Sequence, residues 1–160
     1  MDLKEIINKR RAYRSLEPVE VTGAVVQQYL RDVGFARRKV LNQGTFVGRE
    51  EIEERIGAVS NVTELLTGMP GVTVLDSKPG MIGSMVVVDG MLSARGCGPL
   101  RVFIDGFLVS IEDFQSFGSL VRPEDVIAIE VYRRASEIPP EYGGPESGCG
   151  VLLIWTRRGR

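Results

Sequence analysis

The chain has 160 residues, with 20 Lys and Arg against 21 Asp and Glu, giving a formal net charge of −1. Its length and 43% apolar fraction are ordinary for one soluble domain with a buried core. The absence of histidine excludes Ser-His-Asp and Cys-His nucleophiles and imidazole metal sites. Two cysteines cannot form a four-thiolate site, and the near-zero charge argues against a nucleic-acid-binding protein. We therefore expect no cofactor and no nucleic-acid partner, although carboxylate-only metal sites stay open.

The first 40 residues have the pattern of a helical segment followed by a linker. Asp2 can cap a helix over Leu3–Arg11, an alternating stretch follows at residues 19–22, and helical spacing returns over Val25–Val33. The first residues lack the apolar run of a signal peptide, and no apolar stretch approaches the roughly 20 residues of a membrane span. We place a boundary in the composition change around residues 35–48, with segments 1–40 and 41–160.

Short helices and strands alternate after this boundary. The charged run Arg49–Ile56 predicts a helix with Gly48 at the cap position, and Asn61 with Glu64 forms a capping-box pattern. Residues 72–75 predict a strand. Glu50, Glu51, Glu53 and Glu54 fit a solvated helix face.

Two similar segments, residues 86–92 and 102–108, predict hairpins with Asp-Gly turns of type I′. Asp89 and Asp105 could form a catalytic carboxylate pair, but their place in these turns favours a conformational role. Residues 126–132 predict a strand with Ile127, Ile129 and Val131 on one buried face.

The glycine-rich loop at residues 142–150 lacks the ending of a P-loop and leads into a strand, Val151–Thr156, so a phosphate site is disfavoured. We expect Leu152 and Ile154 of that strand to be buried. The whole pattern predicts an α+β domain with a small mixed sheet and short helices.

Residues 2–14 resemble the opening of flavin-dependent nitroreductases. In that family an Arg-rich segment, represented here by Arg10, Arg11 and Arg14, contacts the FMN phosphate. This resemblance implies a small FMN-dependent enzyme as one alternative. A solvated amphipathic helix explains the same residues without a cofactor.

A second resemblance covers most of the chain. Five blocks in order are similar to the plug domain of TonB-dependent outer-membrane receptors, especially a short variant with paired cysteines; they are Thr45–Glu53, Val62–Val72, Val102–Gly106, Val121–Arg133 and Tyr142–Arg158. The resemblance implies a plug-like fold and a non-enzymatic binding and gating role in nutrient uptake. It also implies a location at the outer membrane or in the periplasm, with a receptor barrel as a partner. A stand-alone periplasmic interaction domain is the alternative that keeps the fold without transport.

Just before these blocks lies a stretch similar to a TonB box, the segment grasped by the energy-transducing protein TonB. It consists of Leu16, Glu17, Pro18, Val19, Glu20, Val21, Thr22 and Gly23. The physical mode is strand addition through main-chain hydrogen bonds. An ordinary edge strand is the other interpretation of this segment.

Cys97 and Cys149 are the two cysteines of the chain. The short plug variant that the chain resembles carries a cysteine at each place, which implies a disulfide. If the strands that follow them are neighbours, both cysteines lie near strand ends and can meet. The bridge would contribute about 4 kcal/mol in the chain-entropy model and would indicate an oxidising compartment. Two unrelated buried thiols are the alternative.

Overall fold

A computed structural model describes residues 23–76, 84–88, 100–110, 118–145 and 147–157. The helices are α1 (Gly23–Asp32), α2 (Phe35–Leu41), α3 (Arg49–Ile56) and α4 (Val62–Leu66). The strands are β1 (Thr45–Val47), β2 (Val72–Asp76), β3 (Ser84–Val88), β4 (Arg101–Ile104), β5 (Phe107–Val109), β6 (Val126–Tyr132) and β7 (Val151–Thr156). Single 3₁₀ turns cover Pro123–Asp125, Pro140–Tyr142 and Ser147–Cys149.

Five of the strands form one mixed sheet in the order β1-β6-β7-β4-β5. β4 runs parallel to β7, and the other neighbours are antiparallel. β2 and β3 pair antiparallel as a separate two-stranded sheet. The predicted α+β class with a small mixed sheet is confirmed.

The central strands β6 and β7 of the five-stranded sheet are buried on both faces, whereas the edge strand β5 is largely exposed. One face, with α3, α4 and the β2–β3 sheet, forms the hairpin-side core: Val47, Ile52, Val62, Leu65, Leu66, Met69, Val72, Val86, Val102, Val121, Val126, Ile129, Val131, Leu152 and Ile154. The other face, with α1 and α2, forms the helix-side core: Val26, Leu30, Phe35, Phe103, Ile127, Ala128, Tyr132, Tyr142, Val151, Leu153 and Trp155. A central strand with two buried faces needs a continuous apolar run, as β7 has.

β6 contains a bulge that the sequence did not predict. Val126 pairs with Thr156 and Ala128 with Trp155, which leaves Ile127 as an extra residue. Ile127 therefore lies in the helix-side core, whereas Ile129 and Val131 lie in the hairpin-side core. The predicted burial of all three residues is confirmed, but their placement on one face is wrong for Ile127, because a bulge reverses the alternation of side chains.

The predicted caps and turns agree with the structure. Gly48 precedes α3 without a side-chain cap, and Asn61 caps α4 by accepting a hydrogen bond from the Glu64 N–H at 3.0 Å. Asp105 and Gly106 have φ angles of +50° and +86°, as a type I′ turn between β4 and β5 requires. In the other predicted hairpin, residues 86–88 form the end of β3, while the Asp89 turn lies outside the described residues.

The predicted second helix is confirmed as α1, Gly23–Asp32. The predicted helix over residues 3–11 and the extended stretch at 19–22 lie outside the described residues. Around the predicted boundary the chain forms α2, and both α1 and α2 pack on the sheet through Val26, Leu30 and Phe35. Among the described helices, none has the length and apolar character needed to cross a membrane.

Candidate functional site

A carboxylate lies buried in the middle of β6. The side chain of Glu130 has 0% exposure and faces the helix-side core. The Tyr132 hydroxyl donates to its Oε2 at 2.5 Å, and the Trp155 indole N–H donates to its Oε1 at 2.7 Å. These two donors come from β6 and β7, so the sheet itself supplies half of the carboxylate's hydrogen bonds.

Arg38 of α2 supplies the other half. Its Nε donates to Glu130 Oε2 at 2.8 Å, and its Nη2 donates to Oε1 at 2.7 Å, a two-pronged geometry that aligns both groups. The guanidinium also lies 5.6 Å from the ring centre of Tyr142 and 5.8 Å from that of Trp155. With 11% exposure, the Arg38 side chain is nearly buried between α2 and the sheet.

Burial and the contacts with Glu130 shift the pKa values of Arg38 and Tyr132. Burial alone would lower the pKa of the Arg38 guanidinium, but its hydrogen bonds to Glu130 and the carboxylate charge outweigh burial and raise it above its ordinary value. Burial raises the pKa of the Tyr132 hydroxyl, and the charge and hydrogen bond of Glu130 raise it further. Both shifts move the pKa further above physiological pH, where Arg38 is cationic and Tyr132 neutral.

This arrangement suits attachment rather than catalysis. Each oxygen of Glu130 accepts two hydrogen bonds from the protein, so the carboxylate has no free position for a substrate proton. The four donors come from α2, β6 and β7. What the network does chemically is to fix α2 against the centre of the sheet.

A second acidic residue joins the β4–β5 turn to β7 and α1. Oδ1 of Asp105 accepts the Thr156 N–H at 2.7 Å and the Tyr29 hydroxyl at 3.2 Å. Its Oδ2 accepts the Thr156 hydroxyl at 2.6 Å. Because these contacts occupy the carboxylate, the structural role predicted for Asp105 is favoured over a catalytic pair with Asp89.

The described residues include only part of the predicted site. Of the segment similar to a TonB box, Gly23 is the first residue of α1, and residues 16–22 lie outside the described residues. Cys97 also lies outside them, whereas Cys149 ends a 3₁₀ turn just before β7. The four glutamates of α3 are exposed, in agreement with a solvated helix face.

The Arg38–Glu130 pair was missed by sequence reasoning. Its signal is a single charge within the apolar run of β6, because a buried carboxylate needs a partner. The observed partner, Arg38, is 92 residues away in the sequence and is one of 20 Lys and Arg residues. Nothing in the sequence distinguishes Arg38 from its basic neighbours Arg37 and Lys39 as the residue that faces the sheet.

Comparison with known proteins identifies the family. Residues 36–148 match the model of the TonB-dependent Receptor Plug Domain. No curated protein sequence matches the chain. The comparisons support neither the nitroreductase-like start, which lies outside residues 36–148, nor a paired-cysteine variant.

Solved structures share the fold. The siderophore receptor PirA from Acinetobacter baumannii is similar with a TM-score of 0.53 and 20% identity over 75% of this chain and 18% of that one. A mutant ferric enterobactin receptor PfeA from Pseudomonas aeruginosa, in complex with enterobactin, gives 0.51 and 23% over 70% and 17%. The RagAB peptide importer in its open-open state gives 0.50 and 21% over 70% and 12%. The chain thus spans less than a fifth of these structures, and by its family match it belongs to the TonB-dependent receptor plug domains.

Proposed function

We propose that the chain acts as a non-enzymatic gating plug in TonB-dependent nutrient uptake at the outer membrane, seated in the barrel of a receptor. The observation that carries this proposal is the plug-family match over residues 36–148. The two most extensively bonded carboxylates, Glu130 and Asp105, support a non-enzymatic role because protein donors already occupy them.

The partner that this function requires is a TonB-like protein, and the segment from Leu16 to Gly23 is our candidate for its contact. In strand addition, alternate N–H groups of the added strand face the partner. Pro18 has no N–H and is tolerated on the outward side of an edge strand. We therefore assign the inward positions to Val19 and Val21 and the outward ones to Glu20 and Thr22.

Single proline substitutions test this pairing directly. The affinity of the full chain for the periplasmic domain of TonB from the same organism is measured by calorimetry for Val19→Pro, Val21→Pro, Glu20→Pro and Thr22→Pro. The inward pair should lose binding by at least about tenfold, since each variant loses a main-chain hydrogen bond and gains a clash. The outward pair is the matched control and should lose much less. Equal losses at all four positions, or no binding by the unmodified chain, would overturn the assignment.

A stand-alone periplasmic interaction domain is the second candidate. The two cores on opposite faces of the sheet favour it, because a domain with its own core can fold without a barrel. Cell fractionation with an antibody to the chain distinguishes the two candidates. A gating plug stays in the outer-membrane fraction because it is bound inside its barrel. A stand-alone domain is released with the periplasmic contents by osmotic shock.

A further inference from the structure

We propose that α1 and α2, residues 23–41, form a detachable unit that the Arg38–Glu130 ion pair latches onto the five-stranded sheet. We call this unit the latch helices. The inference goes beyond the gating role, because it concerns an opening of the chain itself and requires neither TonB nor a barrel.

The latch helices are attached by side chains alone. Between the described residues, no backbone hydrogen bond joins residues 23–41 to a strand of the sheet. β6 and β7, in contrast, share a ladder from Val126 to Tyr132. Elements that few buried apolar contacts hold, without a backbone ladder to the rest of the domain, are the ones that open at low free energy.

Few side chains make this attachment. Val26, Leu30 and Phe35 bury their apolar groups in the helix-side core, and the Tyr29 hydroxyl reaches Asp105 at 3.2 Å. The Arg38–Glu130 pair is the buried ionic contact among them. Its two-pronged geometry requires α2 to be fully seated, so the contact is either made completely or lost.

The sheet can hold Glu130 after the helices leave. Tyr132 and Trp155 belong to β6 and β7 and continue to donate to the carboxylate, while Arg38 becomes hydrated in water. The open state therefore keeps partners for both charged groups. This lowers the penalty for opening well below that of a carboxylate stranded without partners.

Opening would uncover the helix-side face of the sheet around Trp155, Leu153 and Phe103. Gly23, the last residue of the segment that we assign to TonB, is also the first residue of α1. A partner that pulls on that segment would act first on the latch helices. This last link rests on the proposed function, whereas the latch does not.

Native-state hydrogen exchange of the full chain, read by mass spectrometry at low urea concentrations, tests the proposal. Peptides from residues 23–41 should exchange through an opening that is at least about tenfold more populated than the one that exposes β6 and β7. Trp155 is the only tryptophan and has 2% exposure, so quenching by acrylamide reports the same opening independently.

Substitutions connect the opening to the ion pair. Arg38→Met should lower protection of residues 23–41 by at least about tenfold, and Arg38→Lys should restore part of it. Because global unfolding includes this opening, β6 and β7 should lose protection by the same factor. Ile129→Val acts in the hairpin-side core, which stays folded in the open state, so it should lower protection of β6 and β7 but not of residues 23–41. The control is Arg37→Met, an exposed neighbour on the same helix, which should leave protection unchanged.

Two outcomes would overturn the latch. In the first, Arg38→Met leaves protection of residues 23–41 unchanged, so the ion pair does not hold the helices. In the second, residues 23–41 of the unmodified chain exchange only together with β7. This second measurement decides the matter even if the Arg38 variants do not fold.

Discussion

Arg38 occupies the space that a side chain at Gly34 would need. A Cβ on Gly34 would lie 2.6 Å from Nη1 of Arg38, and the same Nη1 donates to the Val33 carbonyl at 3.0 Å. Gly34 also has a φ of +80°, which residues with a side chain rarely adopt. The Arg38 guanidinium can therefore reach Glu130 in this position because the turn between α1 and α2 has a glycine at residue 34.

Gly34→Ala should lower the free energy of unfolding by about 2 kcal/mol or more. The strain of a left-handed alanine accounts for about 1–2 kcal/mol, and displacement of the Arg38 guanidinium adds to it. Urea denaturation measures the change. The control is Gly57→Ala, since Gly57 has a φ of −66° and open space around it; it should change stability by less than about 1 kcal/mol. Equal stability of the two variants would contradict the steric account.

A double-mutant cycle should reveal strong coupling between Arg38 and Glu130. Arg38→Met alone should cost about 3–5 kcal/mol, because it removes one partner of a buried ion pair. In the Glu130→Gln background the same substitution should cost less by about 1–3 kcal/mol, since no charge is then left buried. Denaturant unfolding of the four proteins measures the coupling.

The exposed pair Arg122–Glu124 provides the control for this cycle. Its side chains are 69% and 57% exposed and 3.5 Å apart. The corresponding cycle with Arg122→Met and Glu124→Gln should give a coupling of at most about 1 kcal/mol. Similar coupling in the two cycles would show that burial does not strengthen the Arg38–Glu130 contact.

Local patterns predicted several elements well. β7 follows from its apolar run, the β4–β5 turn from Asp105-Gly106, and the start of α4 from Asn61 with Glu64. Each of these signals is contained within a few neighbouring residues and reflects a backbone requirement of those residues. The plug resemblance supplied the family, which the match over residues 36–148 confirms.

The features that escaped prediction depend on distant partners. The bulge at Ile127 becomes visible only against β7, because the sequence of β6 fits an unbroken alternation equally well. The choice of Arg38 over its basic neighbours depends on which face of α2 packs on the sheet, and that helix begins after the left-handed Gly34. Such relationships arise from tertiary packing, which a single sequence does not display.

Asp105→Ala should destabilise the protein by about 3 kcal/mol. The substitution removes the acceptor for three hydrogen bonds and places alanine at a φ of +50°. Asp105→Asn is the matched control, because asparagine tolerates this φ and keeps one carbonyl oxygen; it should lose about half as much or less. Thermal and urea unfolding measure both variants. Equal losses of stability would show that the positive φ of residue 105 does not contribute to the effect.

The structure supports one premise of the predicted Cys97–Cys149 disulfide. β4 and β7 are parallel neighbours with Arg101 paired to Val151, and the Arg101 N–H donates to the Gly150 carbonyl at 3.1 Å. The strand that follows each cysteine therefore begins at the same edge of the sheet. The bridge itself stays a prediction. We expect no alkylation of the denatured chain before reduction and labelling of both cysteines after it; two reactive thiols without reductant would refute the bridge.

Tyr132→Phe should destabilise the protein at neutral pH and less so in alkali. The variant loses the hydrogen bond to Glu130, which costs about 1–2 kcal/mol. Burial, with the charge of Glu130, raises the pKa of the folded-state Tyr132 hydroxyl above its ordinary value of about 10. The unfolded chain therefore releases this proton first, so the stability that Tyr132 contributes is complete below about pH 10 and is lost as the pH rises further. Urea unfolding measures the free energy of unfolding of both proteins between about pH 8 and pH 11. The difference between the unmodified chain and Tyr132→Phe should narrow above pH 10 by up to about 1.4 kcal/mol per pH unit. Groups that titrate alike in both proteins cancel in this difference, so a constant difference across the range would mean that the buried setting does not hold the Tyr132 hydroxyl neutral.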